Sequence, residues 1–133
     1  MTTVQWVFDR AVELMNEMDD STGQTMTADT KEYQVRALGL INTLRNELYP
    51  YSDTYEASAD GKRPVCPVLT SFDQYLDLDD VIAQTILPYG LAAHLQLDDN
   101  PTMAGFFNDR YQELIYSVGA KRPCVWEDIP CMY

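Results

Sequence analysis

The apolar residues of this chain return every three or four positions in four separate stretches, and that spacing restricts the fold more than any other feature. From Thr3 to Met18 the run Val4, Val7, Phe8, Ala11, Leu14, Met15 and Met18 marks one face of a helix. Thr2 followed by Gln5 has the spacing of a capping box. A second helix is expected from about Asp29 to Pro50, with Glu32 as another capping box. Its stripe is Tyr33, Ala37, Ile41, Leu44 and Leu48. Gly39 interrupts it at a cost of about 1 kcal/mol against Ala, and a neighbouring helix approaching closely would explain it. The third helix begins around Asp77 to Asp80. Val81, Ile82, Ile86, Tyr89, Ala92, Ala93, Leu95 and Leu97 cover most of its circumference, which marks it as the central helix. Pro88 and Gly90 lie inside it and predict a kink rather than a break. Asn100 and Pro101 open the fourth helix as N-cap and first helical residue. It continues through Met103, Phe106, Phe107, Arg110, Tyr111, Leu114, Ile115 and Val118 to a C-terminal cap at Gly119.

These stretches predict an all-α fold, a small bundle of about four helices spanning 1–119. A long irregular loop, about 51–75, separates the second and third helices. It lacks a sustained period and holds Gly61, Pro64 and Pro67; loops this long are usually functional. Residues 120–133 form a non-helical C-terminal tail with Pro123 and Pro130. Loop and tail are unusually apolar and aromatic. Tyr51, Tyr55, Val65, Val68 and Leu69 in the first, and Val125, Trp126, Ile129 and Tyr133 in the second, are the candidate protein-contact residues. One domain of 133 residues is long enough to bury a core without staples.

Charge narrows the function classes. Asp and Glu number 21 against 9 Lys and Arg, a net charge of −12. Nucleic-acid binding draws its affinity from cations neutralising phosphates, so this balance has the wrong sign. No Lys or Arg occurs from Pro64 to Asp109, and a basic groove would need Lys62, Arg63, Lys121 and Arg122 together. The acid keeps a small protein soluble, faces DNA without gripping it, or imitates it. No membrane span and no signal-peptide pattern are expected, which points to the cytosol on synthesis. Cys66, Cys124 and Cys131 are widely spaced, form no C-x-x-C pair and read as reduced thiols.

The acidic and histidine clusters do not add up to a reactive centre. Asp77-Leu78-Asp79-Asp80 lacks the glycine and distal glutamate of a calcium loop and reads as a helix start favoured by the helix dipole. His94 and Asp98 share a helix face, but two residues do not make a metal site. A four-helix di-iron centre needs Glu-x-x-His on two helices, and the chain has one His. Neither a nucleophile motif nor a glycine-rich phosphate loop is present, so no enzyme, no metal and no cofactor is expected.

Three runs carry a resemblance. They are Leu87-Pro88-Tyr89-Gly90-Leu91-Ala92-Ala93-His94-Leu95, Asp98-Asp99-Asn100-Pro101, and Phe106-Phe107-Asn108-Asp109-Arg110-Tyr111-Gln112-Glu113-Leu114. Ser52-Asp53-Thr54-Tyr55 and Arg63-Pro64-Val65-Cys66-Pro67 add to them. Across 29–114 the chain resembles the head–tail connector, or head-completion, proteins of phages and prophages of Gram-positive bacteria. The resemblance implies a virion structural protein that assembles as a ring between portal protein and tail or stopper protein. DNA would pass through that ring without specific binding. It would sit at the head–tail junction of the virion, and in the host cytoplasm before assembly. It implies no catalytic residues. The alternative reading of the same acidic helical chain is a DNA mimic or helical adaptor that inhibits or recruits a host protein.

Overall fold

The structure is a computed structural model and describes residues 1–17, 21–52 and 67–120. Its elements are α1 (Val4–Leu14), α2 (Lys31–Leu48), a 3₁₀ turn (Tyr49–Tyr51), a π turn (Ile82–Ile86), α3 (Leu87–Leu95) and α4 (Pro101–Ala120). No strand occurs among the described residues, and the fold is the expected small all-α bundle.

α3 lies at the centre and packs on α1, α2 and α4. Seven of its nine residues are buried, in agreement with its nearly continuous apolar surface. Phe8 of α1, Ile41, Leu44 and Leu48 of α2, and Leu87, Leu91 and Leu95 of α3 are among the largest side chains wholly removed from water. Each burial of this kind contributes roughly 1.5–3 kcal/mol. The α2 stripe of Tyr33, Ala37, Ile41, Leu44 and Leu48 is buried throughout.

Helix ends depart from expectation for identifiable reasons. α1 stops at Leu14, not Met18, because Asn16 takes a left-handed backbone (φ 59°). The Glu17 N–H then donates to the Val12 carbonyl and the Asn16 N–H to Glu13, which closes a Schellman cap. At the other end Thr3, not Thr2, is the N-cap, its hydroxyl accepting from the Trp6 N–H. The Thr2 hydroxyl instead donates to Asp80 at 2.8 Å, and Gln84 Nε2 donates to it in turn.

α2 begins at Lys31 rather than Asp29, and no side chain caps it, so the Asp29–Glu32 box does not form. The buried Thr30 hydroxyl folds the preceding turn instead, donating to the Thr25 carbonyl at 2.7 Å and accepting from the Thr27 N–H at 3.0 Å. Pro50 lets the chain run on through the 3₁₀ turn before it leaves the helix direction. α4 starts as expected, with the Met103 N–H donating to Asn100 Oδ1, but it continues past Gly119 to Ala120, so Gly119 does not end it.

Pro88 produces a widened turn. The residues just before α3 form a π turn, in which the Leu87 N–H donates to the Ile82 carbonyl five residues back. Proline has no N–H and crowds the carbonyl four residues behind it, and the looser turn makes that room. Gly90 has a second role beyond easing a bend. A Cβ built there would stand 2.8 Å from Cε2 of Tyr111, so its absence lets α4 lie close to α3. Gly39 is the reverse: a Cβ there would meet nothing within 4 Å among the described residues, which overturns the expected close approach.

The described end of the long loop is laid across the start of α1. The Val4 and Gln5 N–H groups donate to the Gln74 and Phe72 carbonyls, and the Leu76 N–H donates to the Thr2 carbonyl. Two of the helix donors left over at an N-terminus are thus satisfied by a segment some seventy residues away. Thr3 and Tyr75 form an isolated antiparallel bridge, and Phe8 meets Phe72 edge to face at 5.7 Å.

Candidate protein-contact surfaces

α2 anchors the loop from beneath. Asn42 holds the Leu69 backbone at both ends, its Nδ2 donating to the carbonyl at 3.0 Å and its Oδ1 accepting from the N–H at 2.8 Å. One turn along, the Arg45 guanidinium is 3% exposed and donates to the Pro67 carbonyl. These bonds set which side of the segment faces in. Leu69 is buried in the core, whereas Val68 is 73% exposed. Of the sequence-derived contact residues, Val68 is thus exposed and Leu69 packs in the core. Tyr51 is partly exposed at the end of α2. Tyr55, Val65, Val125, Trp126, Ile129 and Tyr133 lie outside the described residues, as do Lys62, Arg63, Lys121 and Arg122.

Other large apolar side chains stand in water on the helices themselves. Val35 of α2 is 76% exposed, Leu97 after α3 60%, Phe106 of α4 59% and Tyr116 of α4 80%. Val35 and Leu97 line one groove between α2 and α3, together with Arg36, Gly39, Leu40 and His94. Phe106 stacks edge to face on buried Phe107, which in turn meets Tyr89 of α3. The helical spacing of α4 takes in both Phe106 and Phe107. With Phe106 and Phe107 adjacent, only one of the two can face α3, and spacing alone does not say which. Val35 carried a signal in its place off the α2 stripe, beside Gly39 within the same helix.

Most of the few described cations bond to neighbouring groups of the fold. Arg10 pairs with Glu13 and Arg110 with Glu113, each three residues along the same helix. Arg36 donates to the Leu95 carbonyl at the end of α3, and Arg45 is buried. Such pairs at the surface add little stability, but each sets a carboxylate beside the guanidinium and offsets its charge. Among the described residues this leaves Lys31 as the remaining basic side chain of the Lys and Arg set, against exposed carboxylates on α1, α2, α4 and the 72–80 segment.

The acidic run at 77–80 does structural work. Asp79 Oδ1 accepts from the Ile82 N–H and caps the helical turn, and Asp80 holds the Thr2 hydroxyl and lies 3.8 Å from the Met1 amino group. His94 is exposed. Among the described residues no three His, Cys, Asp or Glu side chains gather as a metal site, and no helix is long and apolar enough to cross a membrane. Two tyrosines are perturbed. Burial first, then the hydroxyl's bond to Asp99, pushes the Tyr33 phenol above its ordinary range. Burial first, then the charge of Glu47, does the same to Tyr111.

Compared with known proteins, the chain matches no family model, no curated protein and no solved structure.

Proposed function

We propose that this chain is a virion structural protein, a subunit of the head–tail connector ring that joins portal to tail. The observation that carries the reading is the set of large apolar side chains left in water outside the described core. Val35, Leu97, Phe106 and Tyr116 are each more than half exposed and are available to other proteins. Binding, rather than catalysis, is the work such a surface does. The resemblance of the 87–95, 98–101 and 106–114 runs to connector proteins supplies the specific role.

Charge supports the same reading. A conduit for DNA must not hold the DNA that moves through it. With Arg10 and Arg110 paired and Arg45 buried, phosphate finds few cations on the described surface. In the ring, the exposed carboxylates of the base-free 64–109 stretch line the channel and repel phosphate. The partners are other copies of the chain, the portal protein, and the tail or stopper protein.

The test is capture of the full chain by purified portal protein, followed by electron microscopy of the product. A ring seated on the portal, with an acidic lumen, is the expected outcome. A ring with a neutral or basic lumen refutes the acidic lining. No portal binding, combined with competition against DNA for a basic enzyme, replaces the connector with a DNA mimic.

A further inference from the structure

We infer that the groove between α2 and α3 seats the α4 face of a second copy of this chain, docked head to tail. The inference rests on the connector reading in one respect, that it names the contact between ring subunits.

Gly39 is the first indication. Glycine inside a helix costs about 1 kcal/mol against alanine, and a packing neighbour usually explains it. Here nothing among the described residues lies within 4 Å of where its Cβ would be. The missing side chain opens the floor of the groove to a helix from outside, whose axis then approaches closely. Val35 and Leu97 flank that floor and are both more than half exposed, with Leu40 partly buried between them and the core.

Charge selects the occupant. In a chain with 21 acidic and 9 basic residues, the groove is lined by Arg36 and His94 and by no carboxylate, with Asp98 following Leu97 at its end. The fitting partner is apolar with an acidic flank. α4 presents such a face: Met103 and Phe106 on successive turns, 38% and 59% exposed, and then exposed Asp109 one turn further, with Arg110 beside them already paired to Glu113. Apolar side chains meet Val35 and Leu97, and the carboxylate meets Arg36 or His94. Because groove and face are different surfaces, the contact is heterologous, and repeating it generates a ring when the rotation closes. The contact joins only a few side chains of each copy, so free subunits are expected to associate weakly and only at high concentration.

Sedimentation velocity of the full chain, up to millimolar concentration, tests this with three variants. Wild type is expected to associate with concentration. Val35→Glu in the groove and Phe106→Glu on α4 each weaken association about tenfold or more. An equimolar mixture of those two variants regains a dimer, because each brings one intact surface. Gly39→Leu is expected to raise the melting temperature and weaken association. A wild type that stays monomeric throughout overturns the proposal, as do variants that associate like wild type or a mixture that fails to pair. A lowered melting temperature for Gly39→Leu also overturns it, since part of the same chain then fills the groove. The portal assay separates the two ideas. If wild type does not bind portal yet the mixture dimerises, the connector reading fails and this contact stands. If all variants build rings on the portal as wild type does, this contact fails and the connector reading stands.

Discussion

Replacing Gly90 by alanine tests how tightly α3 and α4 are packed, because two opposed effects of known size meet at one atom. Alanine in a helix interior stabilises by about 0.5–1 kcal/mol through the unfolded chain's lost freedom. The new methyl, however, would lie 2.8 Å from Cε2, 3.0 Å from Cδ2 and 3.2 Å from Cζ of Tyr111. That ring is itself buried, against α3, and cannot swing into solvent without emptying the site. Forcing one extra carbon into such a contact costs roughly 1–3 kcal/mol. The net expectation is a destabilisation of about 1 kcal/mol, or a fall of a few degrees in Tm for a domain of this size. A double-mutant cycle with Tyr111→Ala isolates the steric part. In that background the clash is gone, and Gly90→Ala should stabilise by up to about 1 kcal/mol. Urea unfolding followed by far-ultraviolet circular dichroism, in sulfate so that the weakest variant stays folded, reads both values. The sign must reverse between backgrounds. If Gly90→Ala stabilises the wild-type chain, the close approach of α4 is wrong.

Three further outcomes are expected. Asn42→Ala removes both bonds to the Leu69 backbone and should cost about 1–3 kcal/mol, with hydrogen-exchange protection lost first at the Leu69 amide; unchanged protection there would refute the anchoring. Asn100→Ala should cost about 1 kcal/mol while Asn100→Gly costs only a few tenths, measured by the same unfolding assay; an Asn100→Ala variant as stable as wild type would mean that the Met103 bond does not hold the helix start. Tyr33 has a raised folded-state pKa, so its contribution is complete below the unfolded value of about 10 and is lost as pH rises beyond it. Stability should therefore decline above pH about 10, less steeply in Tyr33→Phe; an identical slope in the variant would remove Tyr33 from the account.

The parts of the fold legible in the sequence were those written by local rules. The α2 stripe, the Asn100–Pro101 start and the buried α3 follow from spacing and cap chemistry within a few residues. The Schellman cap at Asn16 was equally local, but Met18 at helical spacing from Leu14 and Met15 drew the boundary past it. What spacing could not supply was long-range. Leu76 and Leu78 are core residues because the 72–78 segment is tied to the first turn of α1, and nothing near them in the chain says so. Leu69 and Val68 point opposite ways because Asn42 fixes that backbone, so two neighbours with the same chemistry received opposite roles. The candidate surface was legible only as an excess of apolar residues. Which ones face water, Phe106 rather than Phe107 and Val35 rather than Leu38, depends on where α3 lies.

The knot of bonds at residues 2–5 also sets a timetable. The Thr2 carbonyl, the Val4 and Gln5 amides and the Thr2 hydroxyl all wait for partners between Phe72 and Gln84. A ribosome that has made α1 and α2 has therefore exposed two apolar stripes whose central partner, α3, does not yet exist. Synthesis at about 5–20 residues per second leaves that interval open for seconds, the period in which such stripes are prone to aggregate or be held by chaperones. Most helical bundles fold fast because their contacts are local. This one joins the first turn of α1 to residues 72–84, so residues 2–5 settle only after that later segment has been made.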